Sequence, residues 1–232
     1  AQEEPLTSID DEYSRACQYD PRILITTARS PSSRLSQFAK ELRLVFPNST
    51  RMNRGTYTMP ELAAAARSNG ITDMIVVHEH RGVPDAMVVS HFPHGPTVMF
   101  TLHNVTLRHE VASHGNSTVS EQFPHLIFDG FGGRLGERGK SALRFLFPVP
   151  KDDARRVMTF ANRNDFISFR HHVFVATHRD VHLAEVGPRF DLRPYEIRLG
   201  TLEQSEADVE WVLRPYMNTT RKRSQLTGPS SV

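Results

Sequence analysis

The heptapeptides "ELRLVFP" (residues 41–47) and "ALRFLFP" (residues 142–148) decide how this chain folds. Five of the seven positions are identical or near-identical in type. Each heptapeptide follows an apolar segment that opens on a proline, "PRILI" in the first copy and "PHLIF" in the second. From that proline to the closing proline there are 27 residues in one copy and 25 in the other. This repeat predicts an internal duplication.

Around the first copy, the sequence pattern predicts alternating strands and helices. A helix with apolar residues at helical spacing is predicted to begin at Ser32 or Ser33, which would cap it, and to stop at Pro47. A second predicted helix has Pro60 in its first turn and ends at Gly70. Short β-branched runs predict strands at residues 22–27, 73–80, 84–92 and 97–103.

The second copy is followed mainly by segments that are typical of strands. The repeated helix is predicted to end at Pro148. Residues 206–217 predict a last helix with Val209, Val212 and Leu213 facing inward. Strands are predicted at residues 125–129, 156–162, 165–177, 181–187 and 190–200.

These elements predict an α/β (α+β) fold, in which two similar halves each combine a mixed sheet with helices. The predicted domain covers residues 21–217, with halves at about 21–115 and 122–217. An acidic, flexible lead-in (residues 1–20) is expected before it, and a basic, disordered tail (residues 218–232) after it.

The charge is distributed unevenly along the chain. The formal net charge is +2, but residues 1–20 carry six acids and one base, a net of −5, so the other 212 residues carry +7. Of the 28 basic residues, 24 are arginine. The planar guanidinium suits phosphate and stacks on bases, so a basic body suggests an anionic partner such as RNA. An ordinary solvated surface is the alternative.

The composition also limits the compartment. A single cysteine, Cys17, allows no intramolecular disulfide and favours a reducing compartment, the cytosol or the nucleus. No apolar run approaches the roughly 20 residues of a membrane span, and no signal peptide is visible.

Two stretches resemble catalytic or metal motifs. In "HEHRG" (residues 78–82), His78 and His80 share one strand face and could bind zinc only with further ligands, for which His91 and His94 are candidates.

In "GFGGRLGERGKS" (residues 130–141), Arg134 stands where the Walker pattern requires glycine. We therefore expect no enzyme, no cofactor and no metal, and interpret "HEHRG" as a strand end that reaches the surface.

Basic residues near the ends of predicted elements are better candidates for a functional surface. If these element ends share an edge, they make an arginine-lined rim, and contacts of that kind bind a nucleic-acid backbone with little sequence choice. The alternative for each one is an ion pair with a local acid. The predicted RNA-binding residues are Arg29, Arg34, Arg51, Arg54, Arg67, Arg81, Arg134, Arg138 and Lys140.

Long stretches between residues 20 and 216 resemble one known family. They are "DPRILITTARSPSSRLSQFAKELRLVFPN", "RMNRGTYTMPELAAAARSNGITDMIVVHEHRGVPDAMVVSHFPHGPT", "PHLIFDGFGG", "FANRNDFISFRHH" and "AEVGPRFDLRPYEIRLGTLE". They are similar to the Brix-domain family of ribosome-biogenesis proteins. The resemblance implies a fold of two halves, each similar to the anticodon-binding domains of some tRNA synthetases. It also implies RNA binding without catalysis.

The branch of the family that the chain resembles implies a more specific role. It acts in the nucleolus, in the small-subunit processome, and helps U3 small nucleolar RNA pair with pre-ribosomal RNA for 18S maturation. Its implied protein partners are an M-phase phosphoprotein scaffold and the Imp-three protein. The family's nucleic-acid motif maps onto residues 54–82, which include Arg54, Arg67 and Arg81. The alternative is a protein–protein module whose RNA contacts are made mainly by its partners.

Overall fold

The duplicated segments become parts of one large mixed sheet. The computed structural model describes residues 12, 13, 16, 18–111, 121–176, 180–218 and 225–227. The helices in this part of the chain are α1 (Ser33–Val45), α2 (Met59–Ser68) and α3 (Gly133–Arg144), with 3-10 turns at Arg108–Glu110 and Pro215–Asn218. The strands are β1 (Ile23–Thr27), β2 (Ser49–Arg51), β3 (Asp73–His80), β4 (Val83–His91), β5 (Thr97–Thr106), β6 (His125–Asp129), β7 (Arg156–Arg163), β8 (Phe166–Ala176), β9 (Val181–Glu185), β10 (Arg189–Arg198) and β11 (Val209–Val212).

The strand order shows the repeat directly. It is β2-β1-β3-β4-β5-β10-β8-β7-β6, with β9 beside β8 and β11 beside β10. On one side β1 is parallel to β3, and β3, β4 and β5 are antiparallel neighbours. On the other side β6 is parallel to β7, and β7, β8 and β10 are antiparallel neighbours. The two series meet at the antiparallel pair β5–β10. The predicted fold class is confirmed, whereas the predicted domain boundaries stay a prediction.

The antiparallel meeting of the two series sets the direction of every strand. Because β5 runs parallel to β1 and β10 runs parallel to β6, the parallel strands of the two series point in opposite directions. The carboxyl ends of β1 and β6 therefore point in opposite directions along the strand axes.

Helix α1 forms where the spacing predicted it. The Ser32 hydroxyl accepts a hydrogen bond from the Leu35 amide at 3.1 Å, which caps the first turn. The apolar residues of α1 and α3 pack in a single core on one face of the sheet. The rings of Phe46 and Phe147, equivalent positions in the two heptapeptides, lie 5.2 Å apart in that core. The two copies thus pack against each other.

Helix α2 lies on the other face of the sheet. Leu62, Ala63 and Ala66 pack there in a second core, against residues of β1 and β3 that include Leu24 and Met74. No helix in the described part of the chain is long and apolar enough to span a membrane.

A buried arginine joins the second half of the sheet to α1. Arg156, on β7, is 2% exposed. Its Nη2 donates to the carbonyls of Leu44 and Val45, the last two residues of α1, the second at 3.2 Å. Its Nε donates to His171 Nε2 at 2.9 Å, and His171 Nδ1 donates to the Gly187 carbonyl at 2.8 Å. Burial lowers the pKa of Arg156 to about 10. The guanidinium caps α1 from a distant part of the chain.

The same contacts require a neutral His171. Its Nε2 must accept from Arg156, so the ring carries its proton on Nδ1. Burial, and then the charge of Arg156, lowers the pKa of His171 from 6.5 to about 3.

The predicted last helix is wrong. Residues 206–217 instead form β11 and the following 3-10 turn. β11 pairs antiparallel with β10, with Trp211 opposite Ile197, and Val209 is exposed rather than inward. Residues 196–198 of β10 lie beyond the residues that pair with β8, and their backbone groups offer partners to a segment rich in β-branched and aromatic residues. Pro215, which fixes its own φ and has no N–H, follows the strand.

Some residues of the lead-in and the tail have tertiary contacts, whereas the expected flexibility of these segments stays a prediction. Glu12 forms an ion pair with Arg138 at 2.6 Å, and Tyr13 stacks on Phe145 with ring centroids 4.7 Å apart. Leu226 is 1% exposed in the main core. Each of these side chains finds a tertiary partner that the local sequence does not show. Residues 1–11 and most of the tail, as well as Cys17, lie outside the described residues.

Replacement of the buried arginine tests how far the sheet depends on it. Arg156→Met should lower the free energy of unfolding by about 3 kcal/mol, because the α1 carbonyls stay buried without donors. Denaturant unfolding measures the change. Arg163→Met, on the same strand but exposed and paired with Asp129 at 2.9 Å, is the control and should cost under about 1 kcal/mol. Equal effects of the two substitutions would contradict the assigned role.

The neutral His171 gives the stability a defined pH dependence. Its pKa in the folded protein, about 3, lies below the 6.5 of an unperturbed histidine, so the unfolded chain binds more protons between these values. His171 therefore contributes a loss of stability as the pH falls below about 6.5, with a slope of up to about 1.4 kcal/mol per pH unit. His171→Gln keeps a donor and an acceptor without titrating, and should remove this part of the slope in unfolding measurements from pH 4 to 7. His172→Gln, on the opposite strand face, is the control, and an unchanged slope in His171→Gln would refute the idea.

Candidate nucleic-acid interface

Three parallel strands bring basic residues to one edge of the sheet. β2, β1 and β3 are parallel neighbours, so their carboxyl ends lie together. Arg29 follows β1, Arg51 and Arg54 lie at and after the end of β2, and Arg81 follows β3. We call these four residues the arginine edge. Helices α1 and α2 also begin here, and each has a carboxylate at its N-terminal end, Glu79 for α1 and Glu61 for α2. In open α/β sheets this edge is where ligands usually bind.

Arg29, in the loop between β1 and α1, contacts the loop between β2 and α2 that contains Arg54. Arg29 Nη2 donates to the Thr56 carbonyl and Arg54 Nε to the Tyr57 carbonyl, each at 3.4 Å. Burial, and then the nearby charge of Arg29, lowers the pKa of Arg54. Two like charges held this close make a site that an anion would stabilise.

The "HEHRG" stretch separates into structural and exposed parts. The Ser32 amide donates to Glu79 Oε1 at 2.7 Å, and the Ser32 hydroxyl is hydrogen-bonded to Glu79 Oε2. The Glu79 carboxylate therefore occupies the N-terminal end of α1. Half-buried His78 has a lowered pKa, because of its burial and then the charge of Arg54. Glu79 ties β3 to α1, and His78 is held neutral beneath the arginine edge.

Arg81 is the exposed end of that stretch. Arg81 and Gly82 have φ of +51° and +78° and form the two-residue turn between β3 and β4, a conformation that glycine adopts readily. Among the residues that the structure describes, the Arg81 side chain has no hydrogen bond or ion pair. It is free to contact a ligand at the edge.

The arrangement does not resemble a metal centre. Within the described ranges, no group of three or more histidine, cysteine, aspartate or glutamate side chains could hold a metal ion. His91, a candidate third ligand, instead has its Nδ1 2.8 Å from Asp73 Oδ1.

Two predicted RNA-binding residues of the first half are engaged by acids. Arg34 pairs with Glu110 at 2.6 Å. Arg67 pairs with Glu203 and lies 5.1 Å from the centroid of the Phe92 ring. Arg67 is in the last turn of α2, at the opposite end of that helix from the arginine edge. The structure does not bring it together with Arg54 and Arg81.

The predicted residues on α3 lie at the other edge of the sheet. Arg138 pairs with Glu12 at 2.6 Å and Glu210 at 2.9 Å, and Lys140 with Glu137 at 3.2 Å. Arg134 is exposed. Because β6 is antiparallel to β1, the N-terminal end of α3 and the arginine edge are on opposite sides. The nine predicted residues therefore do not form one rim, and their role in RNA binding stays a prediction.

Sequence reasoning missed one candidate residue beside the arginine edge. Tyr57 is 54% exposed in the loop that holds Arg54, and its amide donates to the Arg54 carbonyl at 3.2 Å. An exposed aromatic ring beside arginines is suited to stack on a base. The signal was present in "RGTY" (residues 54–57), where an aromatic residue follows a basic one.

The chain matches a known domain family over most of its length. The Brix domain matches residues 28–196. The chain is 59% identical over 217 residues to "U3 small nucleolar ribonucleoprotein protein IMP4" of Bos taurus and equally to that of Homo sapiens, covering 93% of this chain and 74% of each relative. It is 56% identical over 220 residues to the Saccharomyces cerevisiae protein of that name, covering 94% of this chain and 75% of that relative.

A solved structure agrees with the sequence relatives. The crystal structure of a probable ribosomal biogenesis protein from Aeropyrum pernix K1 superposes with a TM-score of 0.58 and 26% identity. The match covers 75% of this chain and 96% of that one. From the matched domain, the identity to curated relatives and the shared fold, the chain belongs to the Brix-domain family of ribosome-biogenesis proteins.

Proposed function

We propose that the protein is a non-catalytic RNA-binding assembly factor of the small-subunit processome, which promotes or stabilises pairing of U3 small nucleolar RNA with pre-ribosomal RNA. The observation that carries the proposal is the arginine edge, where four arginines converge at the ends of three parallel strands. The names of the curated relatives support the choice of RNA.

The edge acts mainly on the phosphate backbone. Guanidinium groups displace counterions from RNA, which gives affinity with little sequence choice and a steep dependence on salt. Two RNA strands that pair bring their phosphates close together, and these negative charges repel each other. Fixed positive charge beside both strands lowers this repulsion. Tyr57 adds a flat surface for an unpaired base next to the duplex.

The proposal includes partners and a compartment. An M-phase phosphoprotein scaffold and the Imp-three protein are the expected protein partners, and the nucleolus is the expected location. The exclusion of catalysis is supported by the failed Walker pattern at Arg134.

A protein–protein module is the second candidate, and one observation favours it. β9 pairs only with β8 among the described strands, and Val181 and Leu183 on its one face are each 64% exposed. An exposed apolar edge strand can accept an extended segment of another protein.

Titration of the purified chain with U3–pre-rRNA duplex across a range of salt concentrations separates the two candidate functions. A steep salt slope supports direct RNA binding, and no binding supports the module.

Charge reversal tests the arginine edge. The variant Arg29→Glu/Arg54→Glu/Arg81→Glu should weaken binding of the U3–pre-rRNA duplex by at least about 100-fold and lower the magnitude of the salt slope by roughly three, since about one counterion is released per phosphate contact. The control reverses three exposed arginines elsewhere, Arg43, Arg155 and Arg214, with the same change in net charge. Circular dichroism confirms that both variants fold. Equal losses in the two variants would mean that only net charge matters, and the edge would be rejected.

Removal of the aromatic ring tests base stacking separately. Tyr57→Ala should weaken binding of single-stranded RNA by about 1–3 kcal/mol, because a stacked base loses its platform. The salt slope should stay unchanged, since no charge is altered. Tyr19→Ala, another exposed tyrosine (75%), is the control. A changed salt slope with unchanged affinity at low salt would show that Tyr57 does not stack.

A further inference from the structure

A short segment near the C-terminus completes the core of the second half. Leu226 is 1% exposed and belongs to the same hydrophobic cluster as α1 and α3. It lies 61 residues from Asp165, its hydrogen-bond partner in the turn between β7 and β8. A leucine in a stretch whose composition predicts disorder is thus part of the folded core.

The duplication explains why a side chain is needed there. Alignment of the two heptapeptides places Gly136 of α3 at the position of Leu35 in α1, and Gly139 at the position of Phe38. Leu35 and Phe38 are both fully buried against the sheet. The two glycines leave the equivalent face of α3 without side chains. Leu226 enters at this place, since a Cβ on Gly136 would overlap its carbonyl oxygen and a Cβ on Gly139 would lie 3.9 Å from its Cδ2.

Hydrogen bonds hold the backbone of the segment. The Gln225 and Leu226 amides donate to the two carboxylate oxygens of Asp165 at 3.1 and 2.9 Å. The Leu226 carbonyl accepts from the Gly132 amide, just before α3, at 2.7 Å. Asn162 Nδ2 bridges the Gly130 carbonyl at 2.7 Å and the Thr227 hydroxyl at 3.2 Å.

These contacts are those of peptide recognition. One apolar side chain enters a pocket, and groups on both sides of the segment hydrogen-bond its backbone. We propose that α3 carries a peptide-binding groove, formed by Gly132, Gly136, Gly139, Asn162 and Asp165, whose ligand is this chain's own segment Gln225–Thr227. The segment is a separable ligand that supplies the side chains absent from α3. This holds whether or not the arginine edge binds RNA.

Cleavage of the connection tests whether the segment is separable. In the full chain, residues 219–224 are replaced by a protease site and the purified protein is cut there. The fragment with residues 225–232 should stay bound through gel filtration and exchange only slowly with a labelled peptide of the same sequence. With Leu226→Ala the fragment should be lost at once and Tm should fall by about 5–10 °C. Immediate loss of the wild-type fragment without a change in Tm would overturn the proposal, and so would elution of the protein as a dimer that shares fragments between copies.

A matched pair of substitutions tests the groove itself. Gly136→Ala should lower Tm and speed release of the fragment, because its Cβ meets the Leu226 carbonyl, whereas Gly139→Ala on the same helix has room and should keep or raise Tm. If Gly136→Ala does not fold, Asp165→Asn serves instead. Asn tolerates the φ of +65° at this position but loses one of the two acceptors, so release should again be faster. Equal Tm and release in Gly136→Ala and Gly139→Ala, or unchanged release in Asp165→Asn, would overturn the groove.

Discussion

The contact between Arg156 and the last carbonyls of α1 is the constraint on which the rest of the structure depends. The arginine is buried, and the groups that compensate its charge are neutral: the C-terminal end of a helix, a loop carbonyl and an imidazole. A helix C-terminus carries partial negative charge, so the guanidinium and the helix stabilise each other. Because α1 comes from the first half of the chain and β7 from the second, neither half reaches this arrangement alone.

A shared scaffold does not give the two halves equal surfaces. In the first half, the carboxyl ends of the parallel strands carry arginines that lack acidic partners among the described residues. In the second half, the corresponding edge is neutralised by the Asp129–Arg163 pair and covered by Leu226. The difference follows from a few residues. On α3, Gly136 and Gly139 have no side chains to pack against the sheet. On α1, the corresponding Leu35 and Phe38 are buried against it.

Local sequence patterns predicted most of the helices and strands. The features that these patterns missed depend on contacts between residues far apart in the chain. The Ser32 cap, the helices that begin at Ser33 and Met59 and the buried strand β3 follow from spacing within a few residues. β11 was missed because pairing with the part of β10 that β8 leaves unpaired, rather than helical spacing, decided its conformation. The arginine positions at strand ends could be predicted, but whether each one is paired could not. Arg67 finds Glu203 at a separation of 136 residues, a contact that no local pattern contains.

The antiparallel meeting of β5 and β10 has a consequence for how the protein can act in an assembly. The arginine edge lies at the carboxyl ends of β2, β1 and β3, and the groove on α3 lies near the carboxyl end of β6, so the two sites point in opposite strand directions. The sheet between them curves, because α1, which packs on the first half, also contacts Arg156 on β7. A partner bound at the arginine edge therefore leaves the groove and its segment uncovered.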